Sequence, residues 1–371
     1  MPVKPEDVGL SSSRLARIGD HMKRYIDAGK IAGTLTLVAR RGQVAYLEPQ
    51  GHLEIERRRP VTADAVWRIY SMTKPITSVG LMMLYEEGRF QLDDPVHRFI
   101  PSWQNLRVFV GGNYPTFKTA PVERPMTIRD LLSHTSGLTY GFMERTNVDA
   151  AYRKLGVADQ TRSGYTLQDM VDTLAELPLE FSPGTRWNYS VATDVIGHLI
   201  EVISGQRLDA YLRARILEPL GMRDTGFVLE DEQAAALRRQ LRAAGRRQPQ
   251  DDRQSGAEQL SQAQLLLGRR RAPLDRAGLL PLHVHAAEHW ASWTALRLLG
   301  RKTVELMTMN HLPGGQDLTD CSPRPACSRR PPTRAWASAW ASRCSSRRRG
   351  RRFSARRASS RGAERPALPS G

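Results

Sequence analysis

The sequence predicts an α/β fold in which an antiparallel sheet is flanked by helices and joined to a mainly helical lobe. Three observations carry this expectation. Two β-patterned runs at 33–39 and 43–48 are separated by a turn, and apolar stretches of helical periodicity begin just after Ser71 and just after Tyr189. Between those helices, residues 91–184 are loop-rich with helical patches.

Residues 11–28 open with the cluster Ser11-Ser12-Ser13, suited to capping, and then space Leu15, Ile18, Met22, Tyr25 and Ile26 at helical intervals, which predicts an amphipathic helix. Residues 33–39 (GTLTLVA) are rich in β-branched and apolar side chains, Arg41-Gly42 marks a turn, and residues 43–48 resume an extended pattern. Together they predict an antiparallel hairpin. Residues 65–70 lead into Ser71, and Pro75 falls in the first turn of an apolar helix running to about Tyr85, so Ser71 is placed at a helix N-terminus. Within 91–184, helices are expected at 128–133 and 167–177, in a helical second lobe. Further apolar helices are expected at 192–204 and 208–217, and beyond about Leu237 these patterns stop.

The 371 residues are 40% hydrophobic, enough to bury a substantial core. A net charge of +17 would ordinarily point to nucleic acid or an anionic membrane, but its placement argues otherwise. Residues 1–236 hold 28 Lys and Arg against 29 Asp and Glu, which leaves 27 against 9 for residues 237–371. The first part therefore reads as an ordinary soluble enzyme, with no nucleic-acid and no membrane partner expected. Cys321, Cys327 and Cys344 all lie in the basic tail, and no disulfide framework is implied. The N-terminus lacks the continuous apolar core of a signal peptide, and no apolar run is long enough to span a bilayer, so a cytoplasmic protein is the default expectation.

Ser71-Met72-Thr73-Lys74 fits the S-x-x-K pattern, which on a helix puts a lysine amine one turn from a serine hydroxyl on the same face. A serine hydroxyl is a poor nucleophile until a base takes its proton, and a partly desolvated lysine can do so directly or through a neighbour. The helix N-terminus adds a backbone N–H that can face a developing oxyanion. Taken alone, the pattern more readily describes a capping serine followed by a surface lysine, and Tyr189 alone reads as a core aromatic ahead of a helix.

The surrounding text decides between these readings. The stretch VWRIYSMTKPITSVGLMMLYEEGRFQLDDPVHRFIP resembles the nucleophile region of serine β-lactamases, penicillin-recognising D,D-peptidases and family VIII carboxylesterases. LLSHTSGL at 131–138 resembles a loop of that superfamily, and PGTRWNYSVATDVIG at 183–197 resembles its second catalytic motif. The resemblance implies a β-lactamase/transpeptidase-like fold, with Ser71 as nucleophile, Lys74 as its activating partner and Tyr189 as the proton relay. It implies no cofactor and no metal.

The second motif departs from the β-lactamase and D,D-peptidase pattern Y-x-N, because this chain has Tyr189-Ser190-Val191. The amide that would contact a β-lactam or peptide is absent, which favours the carboxylesterase branch and a small-molecule ester substrate. No G-x-S-x-G occurs, so an α/β-hydrolase nucleophile elbow has no candidate serine. His134 is expected to be structural rather than a triad base. His283, His285 and His289 have metal-like spacing but no matched carboxylate scaffold, and metal binding is not expected.

The family's third motif, a strand bearing K-T-G, H-x-G or W-G-G, is not legible near the C-terminus. AWASAWAS at 335–342, if spelled GCG TGG GCT TCG GCC TGG GCT TCG, gives G-V-G-F-G-L-G-F when read one base back, and the same phase can give W-G-G across Arg361-Gly362-Ala363-Glu364. Residues 268–287, read one base later with a suitable choice of codons, can give G-G-G-G-L-L-S-T-G-P-D-Y-F-R-F-M-S-M-L. The expectation is therefore a catalytic region at 1–236, an out-of-frame segment at 237–295, a family-like island at 296–320 and an out-of-frame basic tail at 321–371. The competing reading is a genuine basic tail. Because the N-terminal strands would pair with C-terminal ones, the literal chain is expected to be unstable or inactive. The alternatives in function are a β-lactamase or D,D-peptidase, and a non-catalytic binding protein of the same fold.

Overall fold

A computed structural model describes residues 2–227 apart from 56, 66, 160–163 and 223, together with 266–267 and 298–318. Helix α1 (Ser12–Asp27) begins where the Ser11 side chain accepts from the Arg14 N–H. Strands β1 (Gly33–Arg40) and β2 (Gln43–Glu54) form the expected antiparallel hairpin, joined by Arg41 and Gly42 at φ 53° and 69°. Both turn residues are left-handed, the geometry that matches the twist of a two-residue hairpin. β2 runs six residues past the expected end and pairs with the two-residue β3 (Arg59–Pro60).

The apolar stripe of α1 is only partly used. Leu15 and Gly19 are its buried residues, whereas Tyr25 is exposed, with the Lys30 ammonium 5.0 Å from its ring centroid. Gly19 permits the close approach to β2: a Cβ there would lie 2.5 Å from the Glu48 side chain. The first seven residues of β1, which include Leu35, Leu37 and Val38, are half-buried rather than buried. The short strands β4 (Trp67–Arg68), β7 (Thr225–Gly226) and β8 (Leu266–Leu267) form a separate antiparallel group in the order β4-β8-β7. Among the described residues, then, the sheet strands fall into separate groups rather than one continuous sheet.

The core is built on two helices, α2 (Thr73–Glu86) and α6 (Ala192–Ser204), the latter with the expected bounds. α2 buries Ile76, Leu81, Met82 and Leu84, and α6 buries Val195, Ile196, Leu199 and Ile200. Each such side chain contributes roughly 1.5–3 kcal/mol on burial. Gly80 lets α7 (Leu208–Leu212) close over α2, since a Cβ there would stand 2.8 Å from Leu212 Cδ2, and Tyr211 OH donates to the Gly80 carbonyl at 3.0 Å. The expected helix at 208–217 is α7 continued by a π turn at Arg213–Leu217. Leu298 and Leu299 join this core ahead of the short α8 (Arg301–Met307).

The lobe between α2 and α6 holds α3 (Ile128–Leu132), α4 (Asn147–Leu155) and α5 (Leu167–Ala175). Each starts with a reciprocal Thr-x-x-Asp cap, formed by Thr127 with Asp130, Thr146 with Asp149, and Thr166 with Asp169. The region is less purely helical than expected. A hairpin of β5 (Arg107–Asn113) and β6 (Thr116–Pro121) sits within it, carried by the Val108-Phe109-Val110 run that the loop reading passed over.

Candidate active site

Ser71 lies in a tight 3-10 turn, Tyr70–Met72, that feeds directly into α2, so the expected helix N-terminus begins two residues after it. Tyr70 has φ 41°, a left-handed conformation that costs on the order of 1 kcal/mol in a non-glycine residue. The turn leaves Ser71 exposed, while Lys74 in the first turn of α2 is half-buried. Tyr189 arrives on the segment ahead of α6, and its hydroxyl shares a hydrogen bond with Ser71 Oγ across 118 residues of chain.

The three residues singled out from sequence therefore converge, with one difference from the expected arrangement. Lys74 Nζ donates to Ser71 Oγ at 3.4 Å but meets Tyr189 over the ring face, 4.7 Å from its centroid. A cation over a phenol ring is attracted by the ring's π electrons. Its closer oxygen contact is the Tyr140 hydroxyl, at 3.2 Å.

Tyr140 was not among the residues singled out from sequence. It follows LLSHTSGL by one residue, stacks on the exposed Phe142 at 4.7 Å and lies 5.2 Å from the Tyr189 ring. Its hydroxyl faces Asp194, on the first turn of α6. Protein packed around Tyr140, followed by the Asp194 charge, raises its pKa well above the usual phenol range. Asp194 is also raised, by the same crowding, with Lys74 pulling the other way. The motif text located Asp194, but the pairing with Tyr140 depends on the packing of α6 against the 134–140 segment.

That segment and the one carrying Tyr189 are zipped together. Asn188 N–H donates to the His134 carbonyl at 2.9 Å and Val191 N–H to the Thr139 carbonyl at 3.2 Å. The buried Asn188 side chain donates to the Leu138 carbonyl at 3.0 Å and to Glu180 at 2.9 Å, and accepts from Arg145 at 2.6 Å. Its satisfaction holds the residue before Tyr189 in one orientation. Gly137 has φ 85°, and a Cβ there would meet the Phe181 carbonyl oxygen at 2.3 Å, which fixes glycine in this loop.

His134 lies beside Tyr189, its Nδ1 3.2 Å from Ser190 Oγ. Surrounding protein, and secondarily Lys74, push its pKa down to about 3. Such a ring takes up a proton poorly at neutral pH. Among the described residues no group of three or more His, Cys, Asp or Glu is placed to hold a metal, and no helix is long and apolar enough to cross a membrane. His283, His285 and His289, the three cysteines and the back-read stretches lie outside the described residues.

Solved structures resemble this fold. Among them are simvastatin synthase (LovD) from Aspergillus terreus, with TM-score 0.62 and 23% identity over 81% of this chain and 74% of that one, and EstCE1, a hydrolase with promiscuous acyltransferase activity, with TM-score 0.60 and 23% identity over 80% and 77%. Among curated proteins, Esterase EstB of Burkholderia gladioli is 34% identical over 228 residues, 61% of this chain and 55% of that protein. The lovastatin esterase of Penicillium rubens is 29% identical over 209 residues, 54% and 50% respectively. The chain spans about half the length of the curated relatives it matches. The Beta-lactamase family model matches residues 18–323, well over half the chain, and this protein belongs to the Beta-lactamase family.

Proposed function

We propose that this protein is a serine hydrolase that cleaves small carboxylic esters through an acyl-enzyme. The observation that carries the reading is the shared hydrogen bond between Ser71 Oγ and the Tyr189 hydroxyl, with the Lys74 ammonium against both. In this reading Ser71 Oγ attacks the ester carbonyl and its proton passes to the Tyr189 oxygen, which enters the step as a phenolate held beside the Lys74 ammonium. Tyr189 then returns the proton to the leaving alcohol, and water hydrolyses the acyl-enzyme by the reverse relay. Val191, where the β-lactamase pattern has an amide, favours esters over β-lactams, and the esterases among the relatives agree with it.

The Ser71 backbone N–H supplies one oxyanion donor in this scheme, and the second belongs to the third-motif strand. We place that strand in the out-of-frame text, with phase breaks near Leu237, Leu296 and Asp320. The half-buried Leu35, Leu37 and Val38 of β1 support this, because a sheet completed by C-terminal strands would cover them. Sequencing the gene tests the phase assignment: a clean read without a break removes it.

The functional test is labelling with a fluorophosphonate, followed by peptide mapping, on the chain as written and on a phase-restored chain. In the phase-restored chain the label is expected on Ser71, to be lost in Ser71→Ala, and to be accompanied by turnover of p-nitrophenyl esters above that of nitrocefin, whereas the chain as written is expected to show little or no turnover. Label retained in Ser71→Ala would sink the mechanism, and the opposite substrate order would replace the esterase assignment with a β-lactamase.

A further inference from the structure

His134 touches four consecutive residues of the Tyr189 segment. Its ring lies 5.1 Å from the Tyr189 ring and 6.4 Å, edge-on, from that of Trp187. Its carbonyl accepts from the Asn188 N–H at 2.9 Å, and its Nδ1 is within hydrogen-bond distance, 3.2 Å, of Ser190 Oγ. Contacts therefore fall on the residue before Tyr189, on Tyr189 itself and on the residue after it.

These contacts hold a backbone that would not otherwise sit there. His134 has φ 57°, in the left-handed region that among non-glycine residues asparagine, aspartate and histidine enter most readily. Such conformations persist where the surroundings over-determine them, and here residues 187–190 are among the surroundings that do so. The neutral imidazole adds no second positive charge beside Lys74. What remains for it to contribute is shape and one side-chain hydrogen bond.

We propose that His134 is a positioning residue that clamps the Tyr189 phenol over Ser71 by gripping the chain on both sides of it. Its consequence for rate rests on the reading of Tyr189 as proton relay; the clamp itself is geometric.

The test places a fluorotyrosine at position 189 and compares the parent chain with His134→Phe, Ser190→Ala and their combination. His134→Asn serves as the conservative replacement, since asparagine tolerates the left-handed backbone and can still bond Ser190. The parent is expected to give one narrow fluorine NMR resonance. His134→Phe and Ser190→Ala shift or broaden it, the double variant resembles either single one, and His134→Asn largely restores it. Fluorophosphonate labelling of Ser71 slows by about tenfold in each single variant and by about the same factor in the double, with apparent affinity unchanged.

An unchanged resonance in both single variants overturns the clamp, whether or not the chain takes up label. Rate losses that multiply in the double variant overturn the coupling through Ser190. Should His134→Phe fail to fold, Ser190→Ala carries the same comparison from the other partner. Absence of label at Ser71 in the phase-restored chain, with a parent resonance that responds as expected, defeats the hydrolase reading and leaves the clamp standing.

Discussion

Lys74 Nζ stands 3.2 Å from the Tyr140 hydroxyl and 3.4 Å from Ser71 Oγ, so a single ammonium bridges Ser71 and a second tyrosine. Tyr140 in turn faces Asp194, whose charge also interacts with that of Lys74. Removing the hydroxyl in Tyr140→Phe leaves Lys74 one partner short. The expected result is a loss of about tenfold in the rate of Ser71 acylation, equivalent to about 1.4 kcal/mol, read from the time course of fluorophosphonate labelling. A rate equal to the parent would show that the amine is held without Tyr140.

Tyr189→Phe keeps the ring under the Lys74 ammonium and removes only the group bonded to Ser71. If the phenol moves the proton, kcat for an activated ester falls by roughly a hundred- to ten-thousand-fold. KM changes by no more than about twofold, because ground-state contacts are kept. A KM effect with kcat intact would make Tyr189 a binding residue.

His134 gives stability a pH dependence whose sign follows from its lowered pKa. The folded value of about 3 lies below the ordinary 6.5, so between these limits the unfolded chain binds the proton and the folded chain does not. Its stabilising contribution is fully present above pH 6.5 and declines as pH falls toward 3. His134→Asn should flatten this acid limb in urea midpoints measured from pH 7 down to 4. Asp194 and Glu180, raised by crowding, act in the opposite sense over the carboxylate range, but both are common to the two chains. Parallel acid limbs would contradict the assignment.

Gly137→Ala is expected to destabilise the protein by roughly 1–3 kcal/mol or more from backbone strain at positive φ alone. Its Cβ would also press on the Phe181 carbonyl oxygen at 2.3 Å, against a backbone whose Glu180 N–H donates to Gly137 at 2.7 Å. Urea denaturation checks this, and a midpoint within error of the parent would show that the loop yields freely.

Much of the site was readable because its key contacts are written in short local strings. Ser71 and Lys74 are one helical turn apart, and Tyr189 immediately precedes an apolar run that becomes α6. The same holds for the hairpin turn at Arg41-Gly42 and for the bounds of α6. What escaped was set by contact between distant segments. Tyr140 looks like any loop tyrosine until α6 brings Asp194 to it, and Asn188 becomes legible only when Leu138, Glu180 and Arg145 surround it. The β5–β6 hairpin escapes the sequence pattern because Gly111-Gly112 and Asn113 break its alternation, although the pairing with β6 runs through them to Asn113. In α1, periodicity marked Tyr25 as inward, yet the helix rests on β2 near Gly19 and leaves Tyr25 outside.

The sequence distance between Ser71 and Tyr189 bears on how the protein assembles. Helix, turn and cap can form early from neighbours, but Ser71 and Tyr189 meet only after the intervening lobe has closed its loop, an entropic step that precedes any reward from the contact. On the proposed mechanism, labelling of Ser71 is thus a clock for the last stage of refolding: quenched-flow samples that already show helical signal should still be inert to a phosphonate probe until the two segments dock.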